Sequence, residues 1–125
     1  QFFREAARVL KPGGTLALSD FVKPRGAMKL LTTEGAAINE DSWFGRSALP
    51  LTSEGYARMG RAVGLDVIVD EDVTAQTMPT YPALRRIYIE CGAVEGVPTI
   101  DGCEQLARSG NWQYHVLAFR KRDGS

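Results

Sequence analysis

The sequence has no excess of charge of either sign and no long apolar run. Its 15 Lys and Arg residues balance 15 Asp and Glu residues, so no net positive potential is available to attract nucleic acid or an anionic membrane. The longest apolar stretches, at residues 15–18 and 116–119, are far shorter than the roughly 20 residues that span a bilayer. No targeting segment is visible. We therefore expect a cytoplasmic protein with neither nucleic-acid nor membrane partners.

Cysteine is also scarce, and what is present does not suggest a metal site. Cys91 and Cys103 lack the CxxC spacing of a zinc site, and we interpret both as buried thiols in a reducing compartment. The acidic run at residues 70–72 could in principle hold a cation, but a solvated strand end explains it more simply. We predict no metal ligand. The 125 residues suit a single domain, residues 1–125.

Helical periodicity appears in four segments. Apolar residues recur at i, i+3, i+4 and i+7 over residues 3–10, and Pro12 ends that helix. Thr52 is a favoured N-cap and predicts a helix over residues 53–63. Two more helices are predicted, one capped by Thr80 and one starting near Asp101, where Glu104 has the spacing of a capping box and Gly110 lies just past the end.

Three segments are predicted to be strands. Residues 15–19 do not alternate apolar with polar, so this strand is predicted to be covered on both faces. Residues 65–73 are rich in β-branched side chains. Residues 112–121 carry apolar side chains on both faces, which predicts an interior position in a sheet. The order of helices and strands is that of an α/β layer protein.

A specific sequence block lies at the first helix-to-strand connection. Residues 8–16 read RVLKPGGTL, and Leu18 and Asp20 follow. This block closely resembles the helix-turn-strand unit of class I S-adenosylmethionine-dependent methyltransferases of the small-molecule type. Two later blocks agree with it in order and spacing: LTSE with Tyr56 and then AVGL at residues 51–65, and WQYHVLA at residues 112–118.

The resemblance implies that the chain is the C-terminal half of that Rossmann-like fold. It implies a three-stranded mixed sheet made of the last three of seven strands, with the final strand antiparallel and central, and with flanking helices. Residues 21–50 and 75–110 would be the variable segments that form the substrate side.

The family's cofactor-binding elements are expected to precede residue 1. They are a glycine-rich turn after the first strand and an acidic residue after the second, which bring backbone and carboxylate close to the ligand. Gly13 and Gly14 lead from a helix into a strand, the reverse of the required order. We expect no cofactor for this chain alone and S-adenosylmethionine for the parent family. The chain would then be inactive alone; the alternative is a stand-alone module that binds a small ligand or another protein.

The resemblance also suggests residues that contact substrate, although none is predicted to be catalytic. Asp20 would lie at a strand end exposed to the site, but it could equally end the strand or cap a helix. The apolar side chains of Met78 and Tyr81 would cover a small apolar substrate, unless they pack in the core, and the same holds for Trp43 and Phe44. His115 is the one histidine and a candidate general base, but no acid lies beside it in sequence, so a structural or pocket-lining role competes.

The strand at residues 15–19 is expected to leave one edge unpaired, because the family places its fourth strand there. Unpaired edges invite association. We therefore expect either a homodimer formed through this edge or pairing with a missing N-terminal half.

Overall fold

The computed structural model describes residues 1–24 and 52–124. The helices are α1 (Phe2–Val9), α2 (Ser53–Arg61), α3 (Thr74–Thr77), α4 (Thr80–Glu90) and α5 (Val97–Ser109), with a 3₁₀ turn at Val94–Gly96 before α5. The strands are β1 (Thr15–Val22), β2 (Leu65–Asp72) and β3 (Gln113–Lys121).

The three strands form one sheet in the order β1-β3-β2. Both ladders are antiparallel, so β1 and β2 run in the same direction and β3 opposes them. This confirms the predicted three-stranded sheet with the final strand central. The apolar pattern of β3 agrees with this position, because a strand with partners on both edges lies inside the sheet, and Leu117, Ala118 and Phe119 are buried there.

The β2 ladder contains a bulge between Val67 and Val69. Side chains in a strand alternate between faces, so one extra residue reverses that alternation for everything beyond it. Leu65 and Val67 lie on one face before the bulge, and Asp70 and Asp72 lie on that same face after it.

The sheet separates two hydrophobic clusters. The face with Leu117 and Phe119, here called the α2 face, packs against α1 and α2. The opposite face, here called the α5 face, packs at one end against α4 and α5. The α2-face cluster buries Phe3, Ala7, Val22, Tyr56, Leu65, Leu117 and Phe119; the α5-face cluster buries Tyr81, Ile100, Cys103, Leu106, Ala107 and Trp112.

Two of the predicted helix boundaries are confirmed. The Thr52 side chain accepts a hydrogen bond of 3.0 Å from the Gly55 amide at the start of α2. Gly110 follows α5 with φ +77°, a left-handed conformation that favours glycine.

Two other predicted helix starts are wrong. Thr80 is the first residue of α4, and its side chain makes no capping hydrogen bond because Pro79 occupies the cap position. α5 begins at Val97, so Asp101 and Glu104 lie inside it, and their carboxylates bind Arg85 of α4 instead.

Two burial predictions are also wrong. Thr15, Ala17 and Ser19 are exposed, because none of the described elements covers the α5 face of β1 at this end. Cys91 is exposed as well, at the end of α4, whereas Cys103 is buried as predicted. No helix among the described residues is long and apolar enough to cross a bilayer.

Candidate functional site

Polar residues of all three strands meet at one edge of the sheet. This edge holds the carboxyl ends of β1 and β2 and the amino end of β3. In the register of the two ladders, Asp20 lies opposite His115, and His115 lies opposite Asp72. Open α/β sheets bind ligands at the carboxyl ends of their parallel strands, so this edge is where a site is expected.

Asp20 is held at the end of β1 by two donors. The Tyr56 hydroxyl of α2 donates to Asp20 Oδ2, and the Phe21 amide donates to Oδ1 at 2.8 Å. Burial raises the pKa of Tyr56, and the hydrogen bond to the Asp20 carboxylate raises it further. Asp20 therefore ties β1 to α2. It neither ends the strand, which continues to Val22, nor caps a described helix.

His115 is buried and its ring is bonded at both nitrogens. Nδ1 lies 2.5 Å from Asp70 Oδ1, and Nε2 lies 2.9 Å from Gln113 Oε1. No acid lies beside His115 in the sequence, but the bulge in β2 turns Asp70, 45 positions away, toward its ring. Gln113 also lines a polar groove on the α2 face, beside Glu54 and Arg58.

Asp72 is the last residue of β2 and lies two residues before the start of α3. Its carboxylate accepts hydrogen bonds from the Thr74 hydroxyl and from the Thr74 amide, the latter at 2.9 Å. Burial opposes ionisation, but the two Thr74 bonds outweigh it and lower the pKa of Asp72. Thr74 Oγ1 in turn accepts the Tyr114 amide at 3.0 Å, so the group fixes the start of β3.

An apolar cavity of about 350 Å³ opens on the α5 face of the same edge. The ends of β1 and β3 form one wall, and helices α3 to α5 form the other. Its lining residues are Phe21, Thr77, Thr80, Tyr81, Leu84, Ile100, Cys103 and Tyr114. Ligand pockets in proteins are commonly about 300–1,000 Å³ and mostly apolar with few polar groups, and this cavity has that character.

Tyr81 and Cys103 in the cavity wall stay neutral near pH 7. Burial raises the pKa of Tyr81 to about 12, with a further contribution from the neighbouring Cys103. Burial raises the pKa of Cys103 to about 11. No charged side chain lines this cavity among the described residues.

The structure distributes the predicted substrate-contact residues over both faces of the sheet. Tyr81 lines the cavity, and Met78 packs against the cluster behind it. Asp20 and His115 lie on the α2 face, away from the cavity. Trp43 and Phe44 lie outside the described residues.

Sequence reasoning missed two aromatic walls of the cavity, Phe21 and Tyr114. Their rings pack edge to face at a centroid distance of 5.1 Å, since the two residues are register partners. Phe21 lies two residues beyond the predicted strand at 15–19, in a segment that the resemblance assigns to the substrate side, and Tyr114 lies near the start of the predicted strand at 112–121. Their meeting follows only from the register of the two strands.

The described residues group no metal ligands, and two of their turns differ from the family's glycine-rich turn. In residues 1–24 and 52–124, no three His, Cys, Asp or Glu side chains are grouped as metal ligands. Gly13, with φ +76°, donates its amide to the Lys121 carbonyl at 2.9 Å, so it closes the turn before β1 at the opposite edge of the sheet. The connection from β2 to α3 is the single residue Val73 and contains no glycine. Neither turn resembles the glycine-rich strand-to-helix turn that binds S-adenosylmethionine in the family that this sequence resembles.

No family model matches the chain, but a curated protein and several solved structures are similar to it. Methyltransferase GfsG of Streptomyces halstedii is 39% identical over 85 residues, which are 67% of this chain and 29% of GfsG.

Among solved structures, the cyclopropane synthase MmaA2 of Mycobacterium tuberculosis superposes with a TM-score of 0.73 at 17% identity, covering 96% of this chain and 48% of that one. Geranyl diphosphate C-methyltransferase of Streptomyces coelicolor A3(2) gives a TM-score of 0.72 at 21% identity, covering 95% and 40%. The [4+2]-cyclase SpnF gives 0.68 at 26% identity, covering 98% and 44%.

The sheet order and these likenesses define the Rossmann-like fold of class I methyltransferases. The chain belongs to the class I S-adenosylmethionine-dependent methyltransferases and corresponds to the C-terminal part of their fold. It spans 29% of the length of GfsG and less than half the length of each of the three structures above.

Proposed function

We propose that this chain forms the acceptor-substrate side of a small-molecule methyltransferase and neither binds the methyl donor nor catalyses transfer alone. The observation that carries the proposal is the apolar cavity at the carboxyl edge of β1. Its walls come from residues 77–103 and from the strand ends, within and beside the segments where the family resemblance implies substrate binding.

The parent enzyme would use S-adenosylmethionine. Support comes from the fold and from the geranyl diphosphate C-methyltransferase structure, which contains S-adenosyl-L-homocysteine. Methyl transfer depends on holding donor and acceptor in line, so a chain that lacks the donor site would supply only half of the required positioning. The turns at Gly13 and Val73, which close tightly without leaving backbone open to a ligand, support this division.

The proposed substrate is a small, mostly apolar molecule, and it can be tested with naphthalene as a probe. We expect naphthalene to shift amide resonances of the cavity residues in ¹H–¹⁵N spectra. Leu84→Trp should fill the cavity and abolish the shifts. The control is Ile87→Trp on the same helix, because Ile87 is 51% exposed and lies outside the cavity wall. Equal binding by the wild type and L84W, or no shifts at all, would contradict the proposal.

A stand-alone ligand-binding or interaction module is the second candidate. The similarity to SpnF favours it, because that structure is named for a [4+2]-cyclase and the fold therefore does not by itself dictate methyl transfer. The genomic sequence upstream discriminates the two: an in-frame strand followed by a glycine-rich turn supports the enzyme, and a start codon at this point supports the module.

The free edge of β1 is the proposed partner site. β1 pairs with β3 through eight register partners on one side, and no described strand pairs with its other side. We propose a homodimer through this edge, with the remainder of the methyltransferase fold as the alternative partner. The free thiols Cys91 and Cys103 suit the proposed cytoplasmic location.

A further inference from the structure

We propose that the hydroxyl pair of Ser19 and Tyr114 is the polar anchor of the cavity and selects an uncharged ligand that carries an oxygen atom. This inference rests on the proposed function and specifies its substrate class. The ligand would be an apolar molecule with a single hydroxyl, ether or carbonyl group near one end.

The two hydroxyls are positioned by the sheet. Ser19 Oγ lies 2.8 Å from the Tyr114 hydroxyl. Tyr114 is the register partner of Phe21, two residues beyond Ser19 on the same face of β1, so the Tyr114 side chain lies diagonally across the ladder. Its ring forms part of the cavity wall, while Ser19 is exposed. Tyr114 therefore links the cavity wall to the exposed Ser19, which is not itself a lining residue.

The hydrogen-bonding capacity of the pair exceeds what the two residues use on each other. Each hydroxyl has one proton and two lone pairs. Their mutual bond uses one proton and one lone pair, so one O–H donor and further lone pairs remain for a ligand. Either hydroxyl can serve as donor in the mutual bond, and the pair can thus present a proton to a carbonyl or ether or accept one from a hydroxyl.

The other side chains that line the cavity disfavour the binding of a charged ligand. The cavity lining contains no Lys, Arg, Asp or Glu among the described residues, and the Tyr81 and Cys103 side chains stay protonated at neutral pH. An ion that moves from water into this cavity loses its hydration free energy without gaining a counter-ion. A neutral oxygen-bearing group loses much less hydration free energy than an ion, and one hydrogen bond to the hydroxyl pair offsets that loss.

Naphthalene and two of its derivatives test the anchor in the intact chain. Naphthalene, 1-naphthol and 1-naphthoate are titrated by ¹H–¹⁵N NMR into the wild type, into the double variant Ser19→Ala/Tyr114→Phe and into the control Thr15→Val. Thr15 lies on the same face of β1 at its other end. We expect 1-naphthol to bind about five-fold more tightly than naphthalene, as one net hydrogen bond allows, and 1-naphthoate to bind at least about ten-fold more weakly than 1-naphthol.

The variants separate this inference from the proposed function. The double variant S19A/Y114F should reduce the preference for 1-naphthol to less than about two-fold and leave naphthalene binding unchanged, and T15V should keep the preference. Equal binding of naphthalene and 1-naphthol by the wild type, a preference that survives in S19A/Y114F, or tight binding of 1-naphthoate would overturn the anchor while the cavity stands. Failure of all three probes to bind would overturn both the anchor and the proposed substrate cavity.

Discussion

At the residue scale, His115 owes its environment to a residue 45 positions away in the sequence. The imidazole side chain is 10% exposed, and its Nδ1 faces the Asp70 carboxylate, which is itself 30% exposed. A buried nitrogen without a partner costs about 1–3 kcal/mol. The Asp70 contact therefore has a structural role that does not depend on any reaction.

Removing the Asp70 carboxylate should weaken the fold. We expect Asp70→Ala to lower the free energy of unfolding by about 1–2 kcal/mol, because Nδ1 of His115 loses its acceptor in a site with little water. Urea unfolding at pH 7 measures the change. Glu71→Ala is the matched control, since Glu71 is the adjacent exposed acid. Equal stability of the two variants would show that Asp70 does not support His115.

Cys103 should make stability fall at alkaline pH. Burial raises the pKa of Cys103 to about 11, whereas an unfolded cysteine titrates near about 8.5. The folded state therefore favours the neutral thiol, and this stabilisation is complete below pH 8.5 and is lost as the pH rises toward 11. We expect Cys103→Ala to have a shallower decline in unfolding free energy over that range than the exposed-site control Cys91→Ala. Parallel pH profiles would refute this.

At the element scale, the sheet order could be predicted from the sequence and the bulge could not. The apolar residues on both faces of residues 114–119 predict an interior position for β3, and the two ladders confirm it, although Val116 stays 37% exposed. A bulge depends on how two strands twist against each other, and the sequence around Ile68 carries no glycine or proline to indicate it. The Asp70–His115 contact could not be predicted for that reason.

The cavity was predicted only in part, for a similar reason. Tyr81 was identified from its place in a variable segment and lines the cavity, whereas Met78, identified in the same way, packs behind it. The remaining wall comes from strand pairing. Phe21 and Tyr114 lie 93 residues apart and meet through the β1–β3 register. Helix starts were mispredicted where a polar residue with capping spacing had another use, as with the Asp101 bond to Arg85.

The close packing of α2 on the sheet gives a prediction at this scale. A Cβ at Gly60 would lie 2.9 Å from both the Leu65 carbonyl oxygen and the Phe119 ring. We expect Gly60→Ala to destabilise the protein by about 1–3 kcal/mol, as overpacking does, despite the better helix propensity of alanine. Thermal unfolding measures this, with the exposed neighbour Met59→Ala as control. A G60A protein as stable as the wild type would contradict the packing of α2.

At the scale of the whole molecule, the free edge of β1 should make the chain associate. Light scattering is expected to give a dimer mass that falls toward the monomer on dilution. Ala17→Lys should shift this equilibrium toward monomer, because charge at an edge strand opposes pairing, whereas Ile89→Lys on the exposed surface of α4 should not. A monomer mass at every concentration would exclude the homodimer and leave the remainder of the fold as the proposed partner.

The central claim is that this part of the methyltransferase fold holds a substrate cavity without a methyl-donor site. The most direct test is calorimetric titration of S-adenosylmethionine into the chain, on a sample that binds naphthalene. We expect no heat of binding, because neither Gly13 nor Val73 provides an open glycine-rich turn at the carboxyl edge of the sheet. A saturable isotherm with a micromolar dissociation constant would contradict it.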